Sequence, residues 1–216
     1  TILVPEIVLN SAAQPTFKHA LNNHRWIIVL LGIAAFLFAA CSSPAVADFS
    51  TSSNAGNAPF EVSFTLGETV DGDTFGWDFG DGAGSSESAP LHTFQDAGTF
   101  TVRLSVQKGD SVAVADAKIT VEAGAAGWVV IEGGDNSVSS LGSTQFTASA
   151  FDLLGNPIIN PEFRWNVDPA AGEIDDSGEF TAGTDLNTFD DAITVEIERL
   201  GTVVSQSTTI EVTTGP

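Results

Sequence analysis

The sequence predicts an all-β protein in which one N-terminal transmembrane helix is followed by two tandem antiparallel β-sandwiches. Three observations support this class. Apolar and polar residues alternate in several runs after residue 48, as they do in strands with one buried and one solvated face. Residues 48–216 show no helical periodicity of useful length. One uncharged apolar run, residues 26–41, precedes all of these strands.

The apolar run begins at Trp26 and ends at Cys41, and Lys18 and Arg25 precede it. Basic residues before a single apolar segment predict a cytoplasmic N-terminus and an extracytoplasmic remainder. Residues 1–25 are therefore predicted to be a cytoplasmic tail. Residues 26–47 are predicted to be a transmembrane anchor or a lipoprotein signal region. As a helix they would reach about 33 Å, which is enough to cross a hydrocarbon core of about 30 Å.

The end of the apolar run leaves a second interpretation open. Residues 37–41, Leu-Phe-Ala-Ala-Cys, resemble the lipobox of bacterial lipoproteins, in which the cysteine is lipidated and becomes the new N-terminus. Phe38 stands where leucine is usual, so we favour a retained anchor with Trp26 and Cys41 at the ends of its apolar run. In both cases membrane lipid is an expected partner, and the sandwiches are expected in the periplasm or outside a bacterial cell.

Charge is distributed unevenly along the chain. Residues 48–216 carry five bases against 27 acids, a net charge of −22. So acidic a surface repels phosphate backbones, which excludes nucleic acid as an expected partner. Cys41 is the one cysteine of the chain. An intrachain disulfide, a thiolate zinc site and a Cys-x-x-Cys-His haem attachment are therefore excluded.

The first extracytoplasmic segment, predicted as residues 48–122, contains two strongly alternating runs. In residues 60–66 and again in residues 100–106, every second residue is Phe, Val or Leu. Between these runs, Trp77 and Phe79 share one face of a predicted strand, and Asp81-Gly82 indicates a tight turn. Antiparallel strands with one buried face explain this pattern.

Three motifs of this segment resemble the polycystic-kidney-disease (PKD) repeat family. They are Trp-Asp-Phe-Gly-Asp-Gly at 77–82, His-Thr-Phe at 92–94 and Ala-Gly-Thr-Phe-Thr-Val-Arg-Leu at 97–104. The resemblance covers about residues 46–122, with Phe94 and Phe100 in place of the tyrosines usual in the family. It implies an Ig-like β-sandwich of the kind that serves as a spacer or interaction module on extracellular bacterial proteins.

Four acidic residues near these motifs are weak candidates for calcium ligands: Asp71, Asp73, Asp78 and Asp81. In an EF-hand loop that starts at Asp71, Phe75 would occupy a ligand position, and Gly82 would stand where the bidentate glutamate belongs. The loop therefore fails as an EF-hand. We expect these residues to cap turns, and no metal site is predicted.

A short linker is predicted at residues 123–127, which lack large apolar side chains, and a second sandwich at residues 128–216. Five short strand-like runs support this second sandwich: residues 128–131, 145–150, 163–167, 193–198 and 209–212. Residues 152–157, 163–169 and 172–183 resemble, in that order, bacterial Ig-like repeats of the intimin and invasin group. The resemblance covers about residues 127–214, and it implies an Ig-like sandwich with Trp165 in its core.

The chemistry expected of an enzyme is missing from residues 48–216. His92 is the one histidine there, and it lies inside a strand motif without a Gly-x-Ser-x-Gly nucleophile elbow. No phosphate-binding glycine loop is present either. His24 could ligate a pigment or haem, but an interfacial histidine beside Arg25 and Trp26 is more typical of a topology anchor. We predict no catalytic residue, no cofactor and no enzymatic activity.

Two function classes follow from these observations. The first is a non-catalytic, membrane-anchored scaffold or accessory subunit of a larger bacterial membrane complex, for example a photosynthetic or respiratory one, whose other protein subunits are its partners. The second is a cell-surface adhesion or glycan-binding lipoprotein. Trp128 is the one tryptophan left free for a glycan platform, which weakens this alternative. A passive spacer beside an active partner chain is a third hypothesis.

Overall fold

The computed structural model describes residues 43–215. In this part of the chain sixteen strands form four sheets, and no residue is helical. Two sheets are built from strands that end at or before Glu122, and two from strands that begin at or after Ala126. Each pair of sheets encloses its own buried apolar residues. The predicted all-β class with Ig-like sandwiches is therefore confirmed.

The predicted tail (1–25) and most of the predicted anchor (26–47), with Trp26 and Cys41, lie outside the described residues. Among residues 43–215 there is no helix of the length and hydropathy that a membrane span requires. The end of the predicted anchor region is described. Ala45 there is buried in the core of the first sandwich, and Val46 pairs with Asp71.

The first sandwich consists of a three-stranded and a five-stranded sheet, with strand orders β1-β3-β6 and β2-β8-β7-β4-β5. All strand pairs are antiparallel except β2–β8, which is parallel. The strands are β1 (Phe49–Thr51), β2 (Ala55–Asn57), β3 (Phe60–Leu66), β4 (Thr74–Asp78), β5 (Gly84–Ser85), β6 (Leu91–Phe94), β7 (Gly98–Lys108) and β8 (Ser111–Glu122).

The core of the first sandwich follows the alternation of its strands. Val62 and Phe64 of β3 are fully or almost fully buried, and so are Val102 and Leu104 of β7. Trp77 is also buried, and its indole Nε1 donates a hydrogen bond of 2.8 Å to the carbonyl oxygen of Glu87. The polar atom of this large side chain is thus satisfied inside the core.

The second sandwich has two four-stranded sheets, with strand orders β10-β16-β15-β12 and β13-β14-β11-β9. Its strands are β9 (Ala126–Gly133), β10 (Ser137–Ser139), β11 (Ser143–Asp152), β12 (Phe163–Val167), β13 (Gly172–Ile174), β14 (Glu179–Ala182), β15 (Thr188–Arg199) and β16 (Thr202–Thr213). Trp165 packs against both clusters of buried residues between these sheets, as predicted. The predicted bounds 48–122, 123–127 and 128–216 stay predictions.

Strand β8 has an unexpected side-chain arrangement. Its larger residues Val112 and Val114 are 64% and 58% exposed, whereas Ala113 packs against the core and Ile119 is buried in it. The hairpin with β7 fixes this arrangement, because Lys108 pairs with Ser111 and every later pair follows in register. A shift of one residue would bury the valines but expose Ile119.

The chain passes through the first sandwich from one end to the other. It enters near the β7–β8 turn, where the backbone N–H of Ala45 donates to Ser111 Oγ at 3.0 Å. It leaves at Glu122, at the opposite end of β8. Twelve residues of strand span about 40 Å, so this module separates its entry and exit points by the length of a strand.

Candidate functional site

The residues that connect the two sandwiches form a compact contact region, which we call the junction. It comprises residues 95–97 of the first sandwich, residues 122–126, and residues 152–156 with Arg199 of the second. Strand β8 ends at Glu122 and β9 begins at Ala126, so three residues connect the modules. Ala123 and Gly124 are buried rather than exposed. The connection is therefore packed into the protein.

A turn at the end of β11 supplies the central acid of the junction. Asp152 is 1% exposed. Its Oδ1 accepts the backbone N–H groups of Leu154 and Asn156, each at 2.8 Å. Gly155 closes this turn with a φ of +90°, which a residue with a side chain rarely adopts. The local sequence Asp-Leu-Leu-Gly-Asn thus folds onto the carboxylate of its own first residue.

The second oxygen of Asp152 connects this turn to the linker. Oδ2 accepts the N–H of Gly124 at 2.8 Å and the side-chain amide of Asn156 at 2.9 Å. Burial acts to raise the pKa of Asp152, but the hydrogen bonds from Asn156, Gly124 and Leu154 outweigh it and hold the pKa below its ordinary value. The junction therefore contains a buried carboxylate that its hydrogen bonds keep ionised.

Asn156 connects the second sandwich to the first. Its side chain is buried, and Nδ2 donates to the carbonyl oxygen of Gln95 at 2.9 Å as well as to Asp152. Its Oδ1 accepts the backbone N–H of Ala97 at 2.8 Å. One amide group thus makes a donor and an acceptor contact with the loop before β7. Both contacts need a defined position of this loop relative to the turn.

Arg199, the last residue of β15, fixes the linker from the other side. Its Nε and Nη2 lie 3.3 and 3.0 Å from the carbonyl oxygen of Ala123, and Nε also lies 3.1 Å from the carbonyl oxygen of Gly124. Nη2 is 3.2 Å from a carboxylate oxygen of Glu122. The guanidinium therefore donates to two linker carbonyls, of which that of Ala123 also accepts a hydrogen bond from Asn57 Nδ2 at 3.1 Å.

Two glycines of this region make close backbone contacts: Gly124 with the first sandwich, and Gly127 of β9 within the second. A Cβ atom on Gly124 would lie 2.2 Å from the carbonyl oxygen of Ala58 in the first sandwich. A Cβ atom on Gly127 would lie 2.6 Å from the backbone of Asp152 in the second. A methyl group at either position would force the backbone apart. The spacing of the junction thus depends on glycine at both positions.

A cleft of about 440 Å³ lies beside the junction. The first sandwich contributes Thr99 and Thr120 to its lining, and the second contributes Pro157, Ile159 and Arg199. The lining mixes apolar side chains with hydroxyl and guanidinium groups but presents no catalytic pair. Its chemistry is that of a contact surface.

The four weak calcium candidates each have other partners. Asp71 forms an ion pair with Lys108, and Asp73 accepts the N–H of Gly109 at 3.1 Å. Asp78 accepts the N–H of Gly80 at 2.9 Å, and Asp81 accepts the N–H of Ala83 at 3.0 Å. Across residues 43–215 no group of three or more His, Cys, Asp or Glu side chains is arranged to hold a metal ion. Asp73, Asp78 and Asp81 thus each accept a hydrogen bond from a backbone N–H group.

His92 has a structural environment. Its ring stacks on Phe79 with centroids 4.1 Å apart and meets Phe94 edge-on at 4.7 Å. Its Nε2 lies 2.7 Å from Asp81 Oδ2. Burial acts to raise the pKa of Asp81, but hydrogen bonds from Ala83 and His92, and the imidazole charge, lower it overall. These contacts tie β6 to the turn after β4.

Trp128, the candidate for a glycan-binding platform, is partly exposed. The side chain is 42% exposed, and its ring stacks on Phe151 with centroids 5.4 Å apart and an interplanar angle of 20°. Leu153 and Leu154, in the neighbouring turn, are also exposed. This group forms an apolar surface beside the junction.

Sequence reasoning did not identify the junction residues. In the sequence, residues 152–157 are marked only by their resemblance to bacterial Ig-like repeats. Arg199 is marked only as one of the five basic residues of residues 48–216. An acid followed by Leu-Leu-Gly-Asn is a local signal for a turn, but nothing in it specifies a partner in another module. The partners of Asn156 are main-chain atoms of Gln95 and Ala97, whose side chains carry no mark of the contact.

Comparison with known families confirms the first resemblance. Residues 41–123 match the model of the PKD domain family. The crystal structure of the PKD1 domain of Vibrio anguillarum Epp is similar, with 28% identity and a TM-score of 0.32. The match covers 38% of this chain and 98% of that domain.

Two further solved structures are similar to this chain. FdeC, an Escherichia coli adhesin, is 18% identical with a TM-score of 0.45, over 79% of this chain and 65% of that one. A C-terminal fragment of intimin, solved with the intimin-binding domain of its translocated receptor, is 13% identical with a TM-score of 0.33. That match covers 78% of this chain and 64% of the intimin chain. No curated protein matches by sequence.

Proposed function

We propose that this chain is a non-catalytic scaffold or accessory subunit that works outside the cytoplasm through protein–protein contacts. The junction is the observation that carries this proposal. The buried groups of Asp152 and Asn156 there bind both the linker and the first sandwich. A flexible linker would need none of these contacts, whereas a scaffold that presents two surfaces in a defined relation requires them.

The course of the chain supports a spacer role. The first module is entered near Ser111 and left at Glu122, at opposite ends of β8. In the second module, Arg199 lies at the junction, and β16 then runs from Thr202 to Thr213. Each module therefore leads the chain along the length of its strands.

The finer proposal concerns the membrane and the partners. We propose that the apolar run at residues 26–41 anchors the chain in a bacterial membrane, as a retained helix or through a lipid on Cys41, with the sandwiches in the periplasm or outside the cell. The predicted region 26–47 is shortened here because Ala45 and Val46 belong to the first sandwich. The partners would be other subunits of a membrane complex. The net charge of −22 over residues 48–216 supports contact with basic protein surfaces.

Isolation in mild detergent tests the proposal. The full chain, recovered from native membranes, is expected to retain defined protein partners that cross-link to both sandwiches. Asn156→Ala, which removes the hydrogen bonds of Asn156 to Gln95 and Ala97, is expected to lose them. The control is Asn166→Ala, at an exposed position of β12. Recovery of the wild-type chain as a lone monomer would contradict the scaffold.

Glycan binding is the second candidate function, and exposed Trp128 is the observation that favours it. A ring stacked on Phe151 offers a flat apolar surface of the kind that sugar rings bind. A glycan array with wild-type chain, Trp128→Ala and the conservative Trp128→Phe tests this candidate. Binding that is lost in the first variant and retained in the second would support it. If the wild-type chain binds no glycan on the array, the glycan candidate is excluded and the scaffold remains the proposed function.

A further inference from the structure

We propose that the open edge of β8 is a self-association site, on which a second copy of this chain adds its own β8 in antiparallel orientation with Val114 at the two-fold axis. This inference rests on the geometry of β8 alone. It stands whether or not the chain is the scaffold proposed above.

Strand β8 is only partly covered. On one side it pairs with β7 over its whole length, from Ser111 to Val121. On the other side β2 pairs with residues 120–122 only. Within residues 43–215, therefore, no strand pairs with the outer side of residues 111–118. An uncovered strand edge presents N–H and C=O groups that can pair with another chain.

The hydrogen bonds to Asn54 and Ala58, the residues on either side of β2, show which groups face the open edge. Thr120 donates its N–H to Asn54 on that side, and Glu122 accepts the N–H of Ala58 there. Because backbone groups alternate sides along a strand, the even-numbered residues of β8 direct their N–H and C=O to this edge. Val112, Val114 and Asp116 are therefore the residues that would exchange hydrogen bonds with an added strand.

Charge complementarity favours the register centred on Val114. With Val114 opposite its own copy, residues 111–117 are paired throughout, and Asp110 lies opposite Lys118 on both sides of the axis. A register centred on Ala113 would place Asp110 opposite Asp116, and one centred on Asp116 would place that carboxylate opposite itself. Like charges directly opposite one another destabilise a strand pair, and opposite charges stabilise it.

Basic residues are concentrated near this edge. Three of the five bases of residues 48–216 lie on β7 and β8, namely Arg103, Lys108 and Lys118. Arg103 contacts both carboxylate oxygens of Asp116, at 2.8 and 2.9 Å. The exposed Val112 and Val114 add apolar surface.

A second copy is the occupant that these features favour. An antiparallel pair of identical strands is two-fold symmetric, so one surface supplies both sides of the contact. The charge pattern of residues 110–118 is complementary to itself in the register centred on Val114. An unrelated strand would need to supply that pattern independently.

Disulfide trapping tests the register. The full chain carries Cys41→Ser, so that an introduced thiol is the only one. Val114→Cys is expected to form a disulfide-linked dimer under mild oxidation at least tenfold faster than Val112→Cys. Hydrogen-bonded opposite residues lie about 5.5 Å apart, within disulfide reach, whereas two copies of residue 112 would lie about 13 Å apart. A mixture of Val112→Cys and Asp116→Cys chains should form the mixed dimer.

Sedimentation of single-site variants gives an independent readout. Val114→Lys places two like charges at the axis and is expected to weaken dimerisation at least tenfold. Val114→Thr keeps a β-branched strand residue and should retain the dimer. Because the side chain is exposed, both variants should unfold at the wild-type temperature when all three chains are measured at concentrations at which they are monomeric. Equal trapping of Val114→Cys and Val112→Cys, or a wild-type chain that stays monomeric at all concentrations, would overturn the inference.

Discussion

Asp152 Oδ2 and Asn156 Nδ2 are hydrogen-bonded at 2.9 Å inside the junction, and both residues are more than nine-tenths buried. The two residues are four positions apart in the sequence. Together they contact three separate segments, which are their own turn, the linker at Gly124, and the loop at Gln95 and Ala97. This carboxylate–amide pair thus connects the second sandwich to both the linker and the first sandwich. Removing either side chain should release the junction while the sandwich cores remain intact.

We expect Asn156→Ala to uncouple the two sandwiches. The substitution leaves the buried carbonyl of Gln95 and the N–H of Ala97 without their partner. Buried groups of this kind cost about 1–3 kcal/mol when they are left unsatisfied. Spin labels on the two sandwiches should show a single narrow distance distribution in the wild-type chain and a broad one in the variant.

Asn166→Ala is the matched control for this measurement. It removes the same side chain from an exposed strand position, so the distance distribution should stay narrow. An equally narrow distribution for Asn156→Ala would show that other contacts, such as those of Arg199, define the junction.

We expect Asp152→Asn to destabilise the junction at neutral pH. One oxygen of Asp152 accepts two donors, from Gly124 and Asn156, and the other accepts two backbone N–H groups. An amide NH₂ in place of either oxygen would face two donors. We expect a loss of about 1–3 kcal/mol in the free energy of unfolding, measured by urea denaturation at pH 7.

The difference in the free energy of unfolding between the wild-type chain and Asp152→Asn should depend on pH in a defined direction. Hydrogen bonds hold the pKa of folded Asp152 below its ordinary value of 3.8. The stabilisation is therefore fully present above pH 3.8 and is lost as the pH falls through the lower, folded pKa. The gap between wild type and Asp152→Asn should narrow below that pH. The exposed Asp190→Asn should show no such gap, and a gap for Asp152→Asn that is constant down to pH 2 would contradict the assignment.

We expect Asp81 and His92 to be energetically coupled within the first sandwich. His92→Phe keeps a ring between Phe79 and Phe94 but removes the partner of Asp81. A double-mutant cycle with Asp81→Asn should give a coupling energy of about 0.5–3 kcal/mol at pH 6. Because the pKa of Asp81 is lowered, the coupling should fade below about pH 4 as that carboxylate is protonated. Additive effects of the two substitutions would show that His92 acts through its ring contacts alone.

Strands in which apolar and polar residues alternate strongly could be predicted from the sequence. The runs at 60–66 and 163–167 coincide with β3 and β12, because a period of two with one apolar face leaves a single way to bury them. The long strand β8 was not predicted. In its first half, valines alternate with alanines, and the larger side chains would be expected on the buried face. The pairing with β7 instead places the alanines on the buried face and the valines on the exposed one.

The junction could not be predicted for a different reason. Asn156 contacts backbone atoms 59 and 61 residues earlier in the chain, and a backbone group carries no residue-specific signal. Arg199 likewise binds linker carbonyls. In contrast, Trp77 and Trp165 were placed correctly in the cores, because large apolar side chains at inward strand positions have few alternatives.

We expect Gly124→Ala to disrupt the junction and Gly76→Ala to be tolerated. A Cβ atom on Gly124 would lie 2.2 Å from the carbonyl oxygen of Ala58, a backbone atom that cannot rotate away. A Cβ atom on Gly76 would meet nothing within 4 Å. The first substitution should lower the free energy of unfolding by about 1–3 kcal/mol, as forced overpacking does. The second should change it by less than about 1 kcal/mol, with a gain favoured.

Hydrogen exchange distinguishes a local from a global effect of Gly124→Ala. The clash lies between the linker and the first sandwich, so the amides of Gly124 and Ala97, both bonded across the junction, should exchange at least tenfold faster. Amides of the central pairs between β7 and β8 should keep their protection, because their register does not involve the linker. Equal acceleration throughout the first sandwich would mean that the glycine supports the fold of that module rather than its connection to the next.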